Sequence, residues 1–180
     1  GANRAFESSQ IDKILQNFNQ GDILLLQNEI NKIPEIIEKA KNKGMKIFFN
    51  PAPMTKEVLN YPIDLVDCLI VNESEAKKLT GEDLDSDEII NLLKNKYSNT
   101  SILLTLGEKG SIYSYKTKYL KCEAMKVKAI DTTAAGDTFI GYFISHLSRD
   151  EEIKDCLSIA SKAASICVTK KGGAISIPKI

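Results

Sequence analysis

The sequence predicts a three-layer α/β/α fold with a mostly parallel β-sheet, formed by one domain that spans residues 1–180. Apolar runs of strand length alternate with segments whose apolar residues recur at helical spacing, which is the pattern of a parallel sheet with helical crossovers. A chain of 180 residues can bury one sizeable core. Hydrophobic residues make up 43% and charged residues 27%, so the composition is that of an ordinary globular protein.

The first half of the chain contains three predicted strands and three predicted helices. The prolines of Asn50-Pro51-Ala52-Pro53 end the second strand because proline cannot donate a hydrogen bond to a ladder. Gly44 and Gly81 end the helices that precede them. The expected elements are a helix over 11–18, a strand over 22–27, a helix over 33–43, strands over 45–49 and 68–71, and a helix over 73–79.

The second half adds a hairpin to this alternation. Two short runs are separated by Lys116-Thr117-Lys118, which predicts an antiparallel pair of strands. No closing helix is expected after Ile180. The expected elements are a helix over 87–97, a strand over 101–105, hairpin strands over 111–115 and 119–122, a strand-like run over 127–130, helices over 138–147 and 151–169, and a strand-like piece that ends at residue 177.

Charge and cysteine usage exclude several classes of partner. Lys plus Arg and Asp plus Glu both number 24, so the net charge is zero, which argues against bulk attraction to nucleic acid or an anionic membrane. No apolar run approaches the ~20 residues that a membrane span needs. The four cysteines lie far apart without a CxxC pair, which indicates free thiols in a reducing compartment and hence a cytoplasmic protein.

A loop of small residues over 131–137 lies between a strand-like run and an apolar helix. Small side chains at 134–136 let the backbone approach a ligand closely, and the N-terminus of the following helix favours anions. Asp137 would repel a phosphate held there, but it could take a proton from an attacking hydroxyl while the helix stabilises the transferred phosphoryl group. The residues alone leave a second interpretation open, in which Asp137 only caps the helix.

The segment Asp131-Thr132-Thr133-Ala134-Ala135-Gly136-Asp137-Thr138-Phe139 resembles the second signature of the ribokinase (PfkB-type) sugar kinase family. The resemblance implies that Asp137 is the catalytic base. It also implies that Ala134, Ala135 and Gly136 form an anion hole for the phosphoryl group transferred from ATP. The implied fold is ribokinase-like (Rossmann-like), in agreement with the alternation of strands and helices.

Two further segments resemble the nucleotide-binding positions of the family. Asn72-Glu73-Ser74-Glu75 looks like its Asn-x-x-Glu motif, which implies that Asn72 lies near the phosphates and that Glu75 orients Mg²⁺ through water. The residues alone also fit a helix start whose acidic side chains favour the dipole. Ser161 matches a position near the adenine, and its alternative is a helix-surface serine.

The segment 105–110 links the fourth strand to the hairpin, and its two glycines by themselves predict only a tight turn. It resembles the nucleotide-binding turn of the family. The positions thereby implied to contact ATP are Thr105, Gly107, Glu108, Lys109, Gly110 and, in the catalytic loop, Gly136.

The segment 170–176 resembles the loop that completes a monovalent-cation site in the family. A K⁺ ion there would support the anion hole from behind, while the alternative is a basic surface turn. The residues implied to form the site, mostly through backbone carbonyls, are Asp131, Thr133, Cys167, Lys170, Gly172 and Ser176.

The sugar-binding positions of the family are mostly missing from this sequence. Leu26-Gln27-Asn28-Glu29 matches the place where a glutamate contacts the sugar, so Glu29 and Asp137 are the implied substrate-binding residues, although Glu29 could equally be an exposed strand-end acid. The preceding region of the family, with the first strands, a Gly-Gly signature and a β-lid, is not found. We therefore expect a C-terminal part of the kinase domain, truncated at the N-terminus and inactive alone.

The resemblance implies ATP-dependent phosphorylation of the 5-hydroxyl of D-ribose, with Mg²⁺ and K⁺. The intact enzyme is expected to be a cytoplasmic homodimer whose partners are a small sugar and ATP, with no nucleic acid and no membrane. Two alternatives stay open. One is another kinase of the family, such as a fructokinase or a nucleoside kinase, and the other is a catalytically incomplete fragment that only binds nucleotide.

Overall fold

The computed structural model describes residues 2–180, so Gly1 of the predicted domain lies outside the described residues. Its six-stranded sheet has the strands in the same order as the chain and is mostly parallel, which confirms the predicted α/β/α class. The strands are β1 (Ile23–Gln27), β2 (Lys46–Asn50), β3 (Cys68–Asn72), β4 (Ser101–Thr105), β5 (Ser111–Tyr115) and β6 (Lys118–Cys122).

The helices lie at the positions where apolar residues recur at helical spacing. They are α1 (Ser8–Leu15), α2 (Ile33–Asn42), α3 (Glu73–Thr80), α4 (Ser86–Lys96), α5 (Ala135–Leu147) and α6 (Ile153–Cys167). Short 3₁₀ helices cover Ala2–Arg4, Lys56–Asn60, Ile63–Leu65, Gly107–Lys109 and Ala174–Ser176. Among residues 2–180, none of the helices is long and apolar enough to cross a membrane.

The chain divides into two compact units. The first comprises the residues up to 104 together with 113–118, and the second comprises 105–112 and 119–180. In the first unit, β1 pairs in parallel with β2, and β2 pairs in parallel with β3. Gln27 at the end of β1 is the register partner of Asn50 at the end of β2. The carboxyl ends of parallel strands share one edge of a sheet, where ligands of open α/β sheets bind.

The second unit is organised around the packing of α5 on α6. Phe143 of α5 and Leu157, Ala160 and Ala163 of α6 are almost completely buried, as their helical spacing predicts. The four cysteines of the chain are all free, in agreement with the sequence-based expectation.

Several predicted elements differ from the structure. The first helix begins at Ser8 rather than residue 11, because Glu7 and Gln10 form a capping box that starts it earlier. The predicted strand-like run over 127–130 is wrong: residues 125–130 are exposed, and the Ile130 N–H donates to the carbonyl of Val168 rather than to a strand. The expected last strand-like piece is also wrong, since Ala174–Ser176 is a 3₁₀ helix whose Ser176 N–H donates to Gly173.

Candidate active site

The predicted catalytic loop leads directly into α5, which begins at Ala135 instead of residue 138. The N-cap position is Ala134, whose backbone is left-handed (φ +61°), and the Thr138 N–H closes the first helical turn on its carbonyl at 2.9 Å. Asp137 therefore lies in the first turn, exposed, and is not the N-cap residue. Its charge is favourable at that end of the helix dipole.

The space around Gly136 in this loop is open. Apart from its chain neighbours and the backbone of its own helix, a Cβ placed on Gly136 would have no atom of the described residues within 4 Å. The N–H groups at the start of a helix have no acceptor within the helix. One of them, the Ala135 N–H, donates to the Thr132 carbonyl at 3.2 Å. Beside them the Thr138 hydroxyl is buried without a hydrogen-bond partner among the described residues. An anion could thus approach the helix start closely.

Asp131 joins the catalytic loop to the loop after α6. Its carboxylate accepts hydrogen bonds of 2.9 Å from the N–H groups of Thr133 and Gly172. The hydrogen bond from Gly172 and those from Thr133 lower the pKa of Asp131 to about 2, so this side chain is charged near neutral pH. Gly172 has φ +103°, and a Cβ there would approach the Ile175 side chain within 2.8 Å, so the turn suits glycine.

The other residues of the predicted cation site lie on the same two loops, except Cys167, which is the last residue of α6. The Cys167 thiol is 3.1 Å from the Ser176 hydroxyl and 3.8 Å from the Thr133 carbonyl, to which it donates. The Lys170 N–H donates to the Cys167 carbonyl at 3.2 Å, and the Lys170 side chain is exposed. The structure thus brings all six predicted residues together, with the anionic Asp131 among them.

The predicted nucleotide-binding turn is held by its own backbone. The Leu106 N–H donates to the Gly110 carbonyl at 2.8 Å, and the Gly110 N–H donates to the Gly107 carbonyl at 3.1 Å. A Cβ on Gly110 would lie 2.0 Å from the Cys122 carbonyl oxygen. Only glycine therefore lets the end of the hairpin pack this close to the turn. Of the other predicted ATP contacts here, Thr105 is half-buried, and Glu108 and Lys109 are exposed.

Ser161 is buried, so the alternative of a helix-surface serine is wrong. Its hydroxyl donates to the Glu123 carbonyl at 3.3 Å, and the Cys122 thiol donates to the same oxygen at 3.7 Å. Burial raises the pKa of the Cys122 thiol. The predicted adenine position and the predicted turn residue Gly110 therefore contact the same short segment, 122–124, which sequence analysis did not single out.

In the first unit, Asn72 and Glu75 form the reciprocal capping box of α3. The Asn72 side chain accepts from the Glu75 N–H at 2.9 Å, and the Glu75 carboxylate accepts from the Asn72 N–H at 3.0 Å. Glu75 is buried, and the desolvation raises its pKa, while hydrogen bonds from Asn72 and Asn50 act in the opposite direction. The helix-start interpretation is thus correct for the fold, and it leaves the predicted role of Glu75 open.

Glu29 is exposed on the turn after β1. The neighbouring Asn28 is buried and fixes this turn, because its amide donates to the Pro53 carbonyl at 2.8 Å and accepts from the Tyr61 hydroxyl at 3.0 Å. His146, the single histidine, contacts Glu151 at 2.8 Å near the end of α5. Its ring stacks with that of Tyr142, with the ring centroids 6.4 Å apart.

A family model for pfkB family carbohydrate kinases matches residues 1–180. The chain belongs to this family. Among curated relatives, the ribokinases of Staphylococcus aureus (strain COL) and Haemophilus influenzae are 36% and 34% identical to it over 185 and 186 residues. Each covers 99% of this chain, and the chain spans 60% of the length of each relative.

The solved structures give the same fold. A ribokinase of Arabidopsis thaliana complexed with ribose and ATP superposes with a TM-score of 0.82 at 28% identity. The superposition covers 99% of this chain and 60% of the Arabidopsis chain. The PfkB-family chain therefore corresponds to part of the length of that relative.

Two polar residues at the ends of β1 and β2 of this PfkB-family chain were not among the predicted site residues. Asn50 donates to the Ile70 carbonyl at 2.9 Å and to the Glu75 carboxylate at 3.3 Å, and Gln27 donates to Asn50 at 3.0 Å. A signal was available, since each is the polar residue that ends an otherwise mostly apolar strand. The contact between the two residues depends on the register of β1 against β2, which cannot be inferred from the sequence.

Proposed function

We propose that this chain carries the catalytic and nucleotide-binding part of a ribokinase, which transfers the γ-phosphoryl group of ATP to the 5-hydroxyl of D-ribose. An exposed carboxylate in the first turn of α5, beside an open glycine, is the observation that carries the proposal. Membership of the pfkB family and similarity to ribokinases support the choice of substrate. The chain spans 60% of the length of those relatives, so ribokinase activity is proposed for a polypeptide that contains this chain.

In the proposed reaction, Asp137 accepts the proton of the sugar hydroxyl as that oxygen bonds to the γ-phosphorus. The bond between the γ-phosphorus and the oxygen that bridges to ADP breaks, so the products are the sugar phosphate and ADP. The N–H groups at the start of α5 stabilise the negative charge on the transferred group. Gly136 leaves room for the phosphoryl oxygens, and Ser161 and the 105–110 turn are assigned to the nucleotide.

The donor set of the first unit fits the proposed metal. Both hydrogen bonds recorded for the Glu75 side chain are accepted by Oε2, from Asn72 and Asn50, and Oε1 accepts none within residues 2–180. A carboxylate oxygen in this situation can orient a water of Mg²⁺, which usually keeps several waters and pairs with phosphates. When bound, Mg²⁺ would neutralise phosphate charge.

A calorimetric titration and a coupled ADP-release assay test the proposal together. We expect the 180-residue chain to bind ADP but to show little phosphorylation of ribose, because the remaining sugar contacts and the lid are assigned to sequence outside it. A longer polypeptide that contains this chain should prefer ribose over fructose and nucleosides. Turnover by the chain alone at about 1 s⁻¹ or more, or an absence of ADP binding, would contradict the proposal.

The residues around Asp131 are proposed to hold K⁺, since a carboxylate with a pKa of about 2 lies among backbone and hydroxyl oxygens. We expect K⁺ to raise the melting temperature of the chain relative to Li⁺ at matched ionic strength. If K⁺ is present at one hundred times its Kd, it should stabilise the folded chain by about 2.7 kcal/mol. Asp131→Asn should lower stability in both salts and remove the difference between them. Equal melting temperatures of the unaltered chain in both salts would refute the site.

A further inference from the structure

Three polar side chains form a hydrogen-bonded row. They come from the carboxyl end of β1, the carboxyl end of β2 and the N-terminal turn of α3. Gln27 Nε2 donates to Asn50 Oδ1 at 3.0 Å, and Asn50 Nδ2 donates to Glu75 Oε2 at 3.3 Å. We call Gln27, Asn50 and Glu75 the amide relay. Asn50 and Glu75 are 7% and 8% exposed, so water competes little for these bonds.

The surroundings of Asn50 fix the orientation of its amide. The Ile70 carbonyl and the Glu75 carboxylate can only accept hydrogen bonds, and both lie on the Nδ2 side, at 2.9 and 3.3 Å. The oxygen must therefore face Gln27, whose amide nitrogen donates to it. Both polar atoms of the Asn50 side chain have hydrogen-bond partners. An amide rotated by 180° would lose these hydrogen bonds.

The relay also fixes the Glu75 carboxylate. Oε2 is held by the Asn72 N–H at 3.0 Å and by Asn50, so the plane of the carboxylate is set by two donors on one oxygen. The capping box supplies one of them and would exist in many helices. Asn50 supplies the other from the end of β2, and a helix cap does not require such a donor.

We infer that Asn50 is a positioning residue that aims the free oxygen of Glu75 at metal-bound water, with Gln27 holding Asn50 in place. The inference rests on the proposed function, in which Glu75 acts on Mg²⁺ through water. Gln27 lies two residues before Glu29, so the relay connects the turn proposed to contact the sugar with the carboxylate proposed to orient the metal. Asn50 is expected to affect nucleotide binding only when Mg²⁺ is present.

The test compares the affinity of the chain for ADP with Mg²⁺ and with EDTA by calorimetry. Asn50→Asp replaces the donor with an oxygen of the same size and should reduce the Mg²⁺-dependent gain in affinity by roughly tenfold, the equivalent of one hydrogen bond to a charged group. Gln27→Met should reduce it by roughly threefold, as it removes one neutral hydrogen bond behind Asn50. Affinity in EDTA should stay unchanged in both variants.

Tyr61→Phe is the matched control. It removes one hydrogen bond to a buried asparagine, Asn28, which lies next to Gln27 but outside the relay, and the Mg²⁺-dependent gain should stay unchanged. A gain that survives in Gln27→Met and Asn50→Asp, or an equal loss in EDTA, would overturn the inference alone. If Asn50→Asp does not fold, Gln27→Met decides. An unaltered chain that binds ADP without any Mg²⁺ effect would count against the proposed role of Glu75 itself.

Discussion

Replacing Asp137 with asparagine is expected to slow phosphoryl transfer by roughly 10²–10⁴, the usual contribution of a positioned general base. Asparagine keeps the shape of the side chain but cannot accept the proton. Affinity for ATP should stay equal or increase, because a negative charge near the γ-phosphate is removed. Turnover should be measured in whichever form is active, the chain itself or a longer polypeptide that contains it, together with nucleotide affinity and melting temperature.

Asp155→Asn is the matched control for this substitution. Asp155 is exposed in the first turn of α6, as Asp137 is in the first turn of α5, so both substitutions remove the same favourable charge from a helix N-terminus. Both should therefore change stability by less than about 1 kcal/mol. Equal, near-normal turnover of the two variants would show that Asp137 contributes only to the helix and would end its assignment as the base.

Replacing Gly110 with alanine is expected to destabilise the second unit by more than about 3 kcal/mol, a value typical of combined steric overlap and backbone strain. The new Cβ would overlap the Cys122 carbonyl oxygen at 2.0 Å, and the backbone at φ +98° and ψ −132° is accessible essentially to glycine. The hairpin would have to move away from the turn, so ADP binding should be lost together with stability. Thermal unfolding and calorimetric titration measure the two effects.

Gly107→Ala provides the comparison within the same turn. Gly107 also has a positive φ, +58°, but apart from its chain neighbours a Cβ there would meet no atom of the described residues within 4 Å. Only the left-handed backbone penalty of about 1–2 kcal/mol then applies. If both substitutions cost the same, the close approach of the 122–124 segment to Gly110 would not be what holds this turn.

Most strands could be predicted because each is a continuous apolar run with a clear stop. The run at Ile23–Gln27 and the run before the prolines at 51 and 53 are examples. The run over 127–130 looks similar in the sequence but stays exposed. A strand also needs a neighbouring strand to pair with, and here the Ile130 N–H donates to the carbonyl of Val168 instead. The start of α1 was missed because glutamate is an uncommon N-cap residue.

The candidate site likewise contains residues that could be predicted from the sequence and residues that could not. Asp137 and the small residues before it are contiguous, so the sequence reveals them as a motif. Asn50 and Glu75 are 25 residues apart, and only the pairing of β2 with β3 brings them into contact. Gly110 and Gly107 look alike in the sequence, although only the first lies against another segment. Contacts that depend on register or on close packing of distant segments could not be inferred from spacing.

The start of α5 is built in a way that a protein selected for stability alone would not keep. Ala134 adopts a left-handed backbone that glycine would adopt more easily, and the Thr138 hydroxyl is buried without a partner. Substitutions that relieve either feature are expected among the stabilising variants of a laboratory screen for heat resistance. Because both residues flank Asp137, gains in heat resistance obtained there should be checked for loss of the proposed phosphoryl transfer before they are combined.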